Sequence, residues 1–259
     1  MFIFFLSQQS VMEVALKVLL LDYTPNLEQL IASAAKLCYS DASIPNLLQK
    51  MTPERAKKLI DDLMDLRHES PLEHAKYTFG IEGFSRATTH QLVRHRLASF
   101  SQQSQRYVSE KRDEGTFGYV CPPTVKKLGK EKDFSEVMQY LQNKYSEYVA
   151  AGIPPEDARY VLPNAAESKM MFTANVRELF HIFNLRLCNR AQWEFRNLAE
   201  EMYNLVYPTA PTIWAYAGPN CVSKGYCTEG KFSCRKAKEM QEKYAKIKKE
   251  LENAKTKQG

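Results

Sequence analysis

Apolar and polar positions switch between a period near two and a period near 3.6 along the chain, and the switches mark its elements. Val14 to Tyr23, dense in Val and Leu, reads as a mostly buried strand. Thr24-Pro25 makes a helix start, after which Leu27, Leu30, Ile31, Ala34 and Cys38 recur at helical spacing. Thr52-Pro53 opens a second helix with the stripe Ala56, Leu59, Ile60 and Leu63. Ser70-Pro71-Leu72-Glu73, beside His68 and His74, has the spacing of a capping box. Tyr77, Phe79 and Ile81 alternate with Lys76, Thr78, Gly80 and Glu82, the pattern of a half-buried strand. A helix should follow from Ser85 to about Ala98, with His90, Gln91 and Arg94 on one face.

Further on, Thr116 to Cys121 reads as a short strand stopped by Pro122-Pro123. Val137, Met138, Leu141, Tyr145, Tyr148 and Val149 mark a long amphipathic helix after a cap at Ser135. Pro154-Pro155 starts a short helix that contains Arg159 and ends at Leu162-Pro163. Lys169 to Asn175 reads as a strand, and Asn175 with Glu178 as the cap of a helix whose core face is Leu179, Phe180, Phe183 and Leu187. Ala191 to Val206 continues helically until Pro208 and Pro211 break it. After Gly218, Cys221, Cys227 and Cys234 sit among Gly, Ser and Lys. A charged helix follows from about Arg235 to Lys257, with so few apolar positions that it reads as a solvated appendage or partner-binding arm.

Composition adds limits. With 259 residues, 44% of them hydrophobic and 25% charged, the chain can bury a core as an ordinary globular protein. A net charge of +6 favours anionic ligands without demanding nucleic acid. The six cysteines form no compact secreted-type framework, which points to a reducing, cytoplasmic setting. The apolar opening Met1 to Leu6 is too short for a membrane span and lacks a preceding basic residue; Met12 offers an alternative start, and residues 1–12 are expected to carry no structure. There is no dinucleotide-binding glycine fingerprint, no P-loop and no zinc-deaminase signature. The three C-terminal cysteines are spaced more widely than a zinc knuckle and have no nearby histidine. They read as loop cysteines, and no metal is expected.

The chemistry concentrates in Arg94 to Tyr107. Between Gly83 and Ser109 there is no Asp or Glu, yet the run holds Arg86, Arg94, Arg96 and Arg106, two histidines and many Ser and Gln. Donors without competing carboxylates suit a phosphate or an anionic heterocycle. The alternatives are solvated surface arginines and cations that complement a helix dipole. On a helix Arg94 and Arg96 would point about 200° apart, so they should serve two ligands or two ends of one.

Arg94-His95-Arg96, seven residues and then Ser104, followed by Arg106-Tyr107, resembles the R-H-R-x7-S signature of the flavin-dependent thymidylate synthases. Three more stretches resemble that family: His68-Glu69-Ser70-Pro71-Leu72-Glu73-His74, then Ala158-Arg159 with Val161-Leu162-Pro163, and Asn184-Leu185-Arg186 with Ala191-Gln192-Trp193-Glu194. The likeness runs from about residue 13 to residue 217 and leaves 218–259 as a Cys-containing loop with a helical extension. It implies a single compact α+β domain, a mixed or antiparallel sheet flanked by helices. It also implies synthesis of dTMP from dUMP, with carbon from 5,10-methylenetetrahydrofolate and hydride from NADPH through FAD, without a cysteine nucleophile. Family members are homotetramers whose active sites draw on several chains.

Carried over by position, the resemblance implies that dUMP is bound by Gln91, Leu92, Val93, Arg94, Gln102, Gln103, Ser104, Gln105, Arg106, Arg159 and Arg186. It assigns FAD to Ser70, Arg94, His95, Arg96, Gln102, Asn175, Val176, Arg177 and His181. Arg186 takes the catalytic role, a fixed cation aimed at charge that develops on the uracil. Ser104 is read as a hydrogen-bonding group, since no base is assigned to it. Arg177 and His181, four apart, could instead pair with neighbours around Glu178 on a helix surface, and Arg186 lies about 180° around a regular helix from Arg177. Many relatives have Asn-Glu where this chain has Ser101-Gln102, and often His where it has Arg190. The rival readings are a nucleic-acid-binding protein using the same basic segment with the basic tail, and a related flavoprotein with an altered nucleotide substrate. Neither nucleic acid nor membrane is expected as a partner.

Overall fold

The computed structural model describes residues 10–107 and 116–256. Its strands are β1 (Met12–Glu13), β2 (Lys17–Tyr23), β3 (Lys76–Ser85), β4 (Ala98–Gln102), β5 (Gly118–Tyr119) and β6 (Glu167–Asn175). The first helices are α1 (Leu27–Leu37), α2 (Ile44–Lys50), α3 (Pro53–Asp65), α4 (Arg86–Leu92), α5 (Pro123–Lys127) and α6 (Glu131–Ala150). They are followed by α7 (Pro155–Ala158), α8 (Val176–Arg186), α9 (Trp193–Val206), α10 (Pro211–Trp214), α11 (Asn220–Ser223) and α12 (Ala237–Thr256). A four-stranded sheet has the order β2-β3-β6-β4, and β1 pairs in parallel with β5. The class is α+β, as expected. None of the described helices is long and apolar enough to cross a membrane.

Local chemistry explains several boundaries. Thr52 accepts a bond from the Arg55 amide and precedes Pro53, so α3 starts where its cap dictates. Asn175 accepts from the Glu178 amide at 2.8 Å and fixes the start of α8, as expected. Ser85 caps α4 by accepting from the Thr88 amide at 3.2 Å.

Several expectations fail, and β2, expected as a mostly buried strand, leaves Leu19, Leu21 and Tyr23 exposed. The helix from Ser85 stops at Leu92, not near Ala98, because Ala98–Gln102 is taken up as strand β4 beside β6. Sheet pairing outweighs local helical spacing there. Arg94 therefore lies outside the helix that carries His90 and Gln91, and the wheel angle between Arg94 and Arg96 has no meaning. Ser70 makes no capping bond; residues Ser70–His74 form a single 3₁₀ turn preceded by Glu69. The long helix α6 begins at Glu131 rather than after Ser135.

The chain divides into two compact units, each assembled from separated segments, with β3 and β6 contributing to both. In the first unit, Val11, Phe117, Tyr119, Met138 and Ala166 form a buried cluster. Of the start expected to carry no structure, residues 1–9 lie outside the described residues. Val11, however, is buried and donates its amide to Gln139 Oε1 at 2.9 Å, and Met12 pairs with Gly118. Gly83 adopts φ +69°, and a Cβ there would stand 1.9 Å from the Ala15 carbonyl oxygen, so only glycine fits.

The second unit is built around Trp214. Its indole N–H donates to the Tyr77 hydroxyl at 3.0 Å, its ring stacks on Phe180, and Phe183 meets it edge-on. The charged helix α12 is not a solvated appendage. Met240 and Tyr244 are buried, the Tyr244 ring meets Tyr203 edge-on at 5.6 Å, and Glu252 accepts from the Tyr207 hydroxyl at 2.8 Å. Two apolar anchors and several side-chain bonds dock a helix whose remaining positions are polar. Tyr244→Ala is accordingly expected to lower the unfolding free energy by about 3 kcal/mol in urea titrations. Truncation of the exposed Lys249 should change it by less than about 0.5 kcal/mol.

Candidate active site

In the first unit, α4 is anchored at its start by amide bonds from Arg86 and Ala87 to the carbonyls of Ala166 and Asn164. Leu92 packs its side chain fully into the core, which leaves only its backbone for a ligand. Val93 and Arg94 are exposed beyond the helix end, and the Arg94 amide donates to the Gln91 carbonyl at 3.3 Å. β4 then delivers Gln102, whose amide group donates to Ser168 Oγ at 2.7 Å, and the Gln103 backbone amide bonds Lys169. These contacts fix the run from Gln102 to Arg106 at the sheet edge. The Ser104 hydroxyl accepts from the Arg106 amide at 3.2 Å, a turn bond that suits a hydrogen-bonding residue rather than a nucleophile.

Glu156 is the residue of this group that sequence reasoning missed. Its carboxylate receives Arg106 Nε at 2.6 Å, and its backbone carbonyl accepts from Arg159 Nε at 3.0 Å. One acidic residue on a short helix thus brings together two of the arginines expected to contact dUMP. The signal available was only its place, three residues before Arg159 in a helical stretch.

In the second unit, α8 and α9 surround His95. The ring is 4% exposed; its Nε2 accepts from Arg186 Nε at 3.0 Å, and its plane meets Phe195 edge-on at 5.8 Å. Since an arginine can only donate, His95 carries its proton on Nδ1. That atom stands 3.5 Å from Glu178 Oε1 without the alignment of a hydrogen bond. Burial lowers the His95 pKa to about 4, with the positive charges of Arg186 and His181 adding to the effect. Burial also raises the Glu178 carboxyl and lowers the Arg186 guanidinium from their ordinary values. The Arg186 guanidinium rests 4.5 Å above the Phe195 ring. An aromatic face and a neutral imidazole therefore hold a partly buried cation and leave its terminal nitrogens for a ligand.

The other expected FAD positions spread around the start of α8. Arg177 pairs with Glu73, and at 3.5 Å with Glu69, so its partners come from the 3₁₀ turn and not from the neighbours of Glu178. Ser70 on that turn and His181 on α8 are exposed; Val176 is buried, and the Asn175 side chain is used by the cap. Neither Arg94 nor Arg96 forms an ion pair with any described residue, and both are exposed. Within the carboxylate-free segment Arg94 and Arg96 are thus unpaired among the described residues, whereas Arg106 is paired with Glu156.

Residues 19–212 match the family described as thymidylate synthase complementing protein. A flavin-dependent thymidylate synthase of Geobacter sulfurreducens is 50% identical over 226 residues, covering 87% of this chain and 96% of the relative. One from Clostridium tetani is 47% identical over 245 residues, covering 88% and 96%. Among solved structures, a UMP/dUMP methylase PolB from Streptomyces cacaoi bound with 5-Br dUMP shares the fold, with a TM-score of 0.70 at 22% identity. That likeness covers 79% of this chain and 95% of the other.

The neutral state of His95 sets a pH dependence. A base whose folded pKa lies below its unfolded value contributes stability that is complete above about 6.5 and is lost as pH falls towards about 4. Urea unfolding of wild type and His95→Gln between about pH 7.5 and about pH 4 should show wild type losing stability relative to the variant by about 3 kcal/mol. A difference that does not change with pH would contradict this account of His95.

Proposed function

The chain belongs to the flavin-dependent thymidylate synthases, and on that premise we propose that it makes dTMP from dUMP. The carbon comes from 5,10-methylenetetrahydrofolate and the hydride from NADPH. Bound FAD supplies the hydride relay. The working form is a homotetramer in the cytoplasm, and each active site draws on residues of more than one chain.

The observation that best supports this reading is the Arg186–His95 bond, which constrains a cation of the kind that a uracil anion would need. His95, kept neutral, accepts the Nε proton and cannot repel the guanidinium, so Arg186 offers its remaining N–H groups to the O2–N3 edge of the base. Charge drawn onto that edge makes C5 the carbon that attacks. Arg106 and Arg159, gathered by Glu156, with Ser104, Gln103 and Gln105, bind the nucleotide phosphate; Gln91 and Arg94 hold the rest of dUMP, assisted by the backbone of Leu92 and Val93. The donor set also fits FAD. Exposed Arg94, Arg96 and Arg177 suit its pyrophosphate, and the exposed His181 ring, Ser70, Gln102 and the backbone at Asn175 and Val176 suit its rings and ribityl hydroxyls.

A mechanism without a cysteine nucleophile agrees with the thiols. Cys121 lies in the first unit's core, and burial raises its pKa, as it does those of Cys188 and Cys221, which weakens them as nucleophiles. The basic segment does not require nucleic acid, because its arginines are accounted for by one nucleotide and one dinucleotide cofactor.

The purified protein is expected to be yellow and to complement a thymidine-requiring strain. Arg186→Ala should retain flavin absorbance while dTMP formation, measured with dUMP and separately with UMP, falls at least about 100-fold. Colourless protein that cannot be reconstituted with FAD would overturn the reading. So would turnover of UMP in place of dUMP, or salt-steep binding of polynucleotides by protein that ignores dUMP.

A further inference from the structure

Four cysteines that are scattered in sequence line one small cavity of the second unit. Cys221 lies on α11, Cys227 and Cys234 lie on the segment between α11 and α12, and Cys188 lies just beyond the end of α8. All four are free thiols. Burial raises the Cys188 and Cys221 thiols, and the neighbouring thiols of the group raise them further, as expected for sulfurs that share a small space. The three C-terminal cysteines alone fall short of a ligand set, and the fold supplies the fourth.

Two details suit sulfur in its anionic form. The Arg190 backbone N–H donates to Cys188 Sγ at 3.5 Å, and the Asn189 side-chain N–H donates to Cys234 Sγ at 3.9 Å. Donors aimed at sulfur stabilise thiolates and tune the metal centres they hold. The segment has few other anchors: the Ser223 hydroxyl donates to Asn184 Oδ1 at 2.6 Å, and the Gln241 side-chain amide donates to the Gly225 carbonyl at 3.4 Å. No residue between Val222 and Glu239 is buried, and its large apolar side chains, Tyr226 and Phe232, are 57% and 59% exposed. Yet it holds a defined path, with Gly225, Gly230 and the non-glycine Arg235 all at positive φ. A loop without a core of its own needs a cross-link to hold such a conformation.

We propose that Cys188, Cys221, Cys227 and Cys234 ligate a thiophilic metal centre that staples this segment to α8. Ligation replaces the thiol protons, which leave to solvent, by sulfur–metal bonds; zinc binds without electron transfer, and a four-iron cluster assembles without net electron transfer from two ferrous ions, two ferric ions and four sulfides. Four-sulfur sites take zinc or an iron–sulfur cluster. Among the described residues no three His, Cys, Asp or Glu side chains already form a ligand group for one ion.

The test is metal analysis of the full-length flavoprotein purified without oxygen and, in parallel, reconstituted with equal amounts of ferrous and ferric iron and with sulfide, or with zinc. Wild type should retain, after desalting, roughly four irons with four acid-labile sulfides, or roughly one zinc, per chain. The first result identifies a cluster and the second a zinc site. Cys227→Ser with Cys234→Ser should lower the metal at least tenfold, and Cys38→Ser, outside the group, should leave it unchanged. Wild-type protein that retains neither metal after both reconstitutions would overturn the proposal whether or not the variants fold. Equal metal in the double variant would do the same. The readout is independent of dTMP synthesis, so it stands or falls apart from the proposed activity.

Discussion

Arg186 can be held by His95 only while His95 remains uncharged, and much of the second unit serves that condition. The imidazole is buried by Phe195 from α9 and by α8, and Glu178 stands near its protonated nitrogen without neutralising a charge that is not there. Were the ring charged, its only well-placed acceptor would become a donor facing another donor. The local environment thus converts an ordinary arginine into a directed cation, and it does so with packing rather than with a carboxylate. A carboxylate partner would have cancelled that charge. The absence of acidic residues from the surrounding sequence and the burial of His95 are two expressions of one requirement.

The first unit holds its arginines by the opposite means. There a carboxylate is used, and it offsets the repulsion between Arg106 and Arg159. Glu156 gathers both, one through its side chain and one through its backbone. It is exposed enough for a ligand's oxygens to compete for the same guanidinium groups.

How much could be read beforehand varies with the range of the interaction that decides each feature. Caps at Thr52, Ser85 and Asn175 are local, and the sequence was a sufficient guide to them. The end of the helix after Leu92 was not legible, because the competing strand β4 exists only through pairing with a segment some seventy residues later. The motif residues could be named from their resemblance, but their partners could not. Neither the His95–Glu178 approach nor the role of Glu156 follows from spacing along the chain. The docking of α12 was missed for a related reason: Met240 and Tyr244 are too few to give an apolar stripe, and their weight comes from the surface that receives them. The fourth cysteine of the cavity was hidden by the same distance in sequence.

Trp214 closes on Tyr77 across 137 positions, and the amide of Thr212 reaches Glu28 across 184. The earliest helix of the second unit therefore waits, during synthesis, for a segment that emerges only when most of the chain has left the ribosome. Until then Tyr77 on β3 lacks the cover of Trp214. High contact order slows folding, and exposed apolar surface during that delay invites association between nascent chains. Holding the growing chain apart from its neighbours is thus a task for chaperones, and the rate of elongation becomes one of the variables that decide how much of this protein reaches its native state.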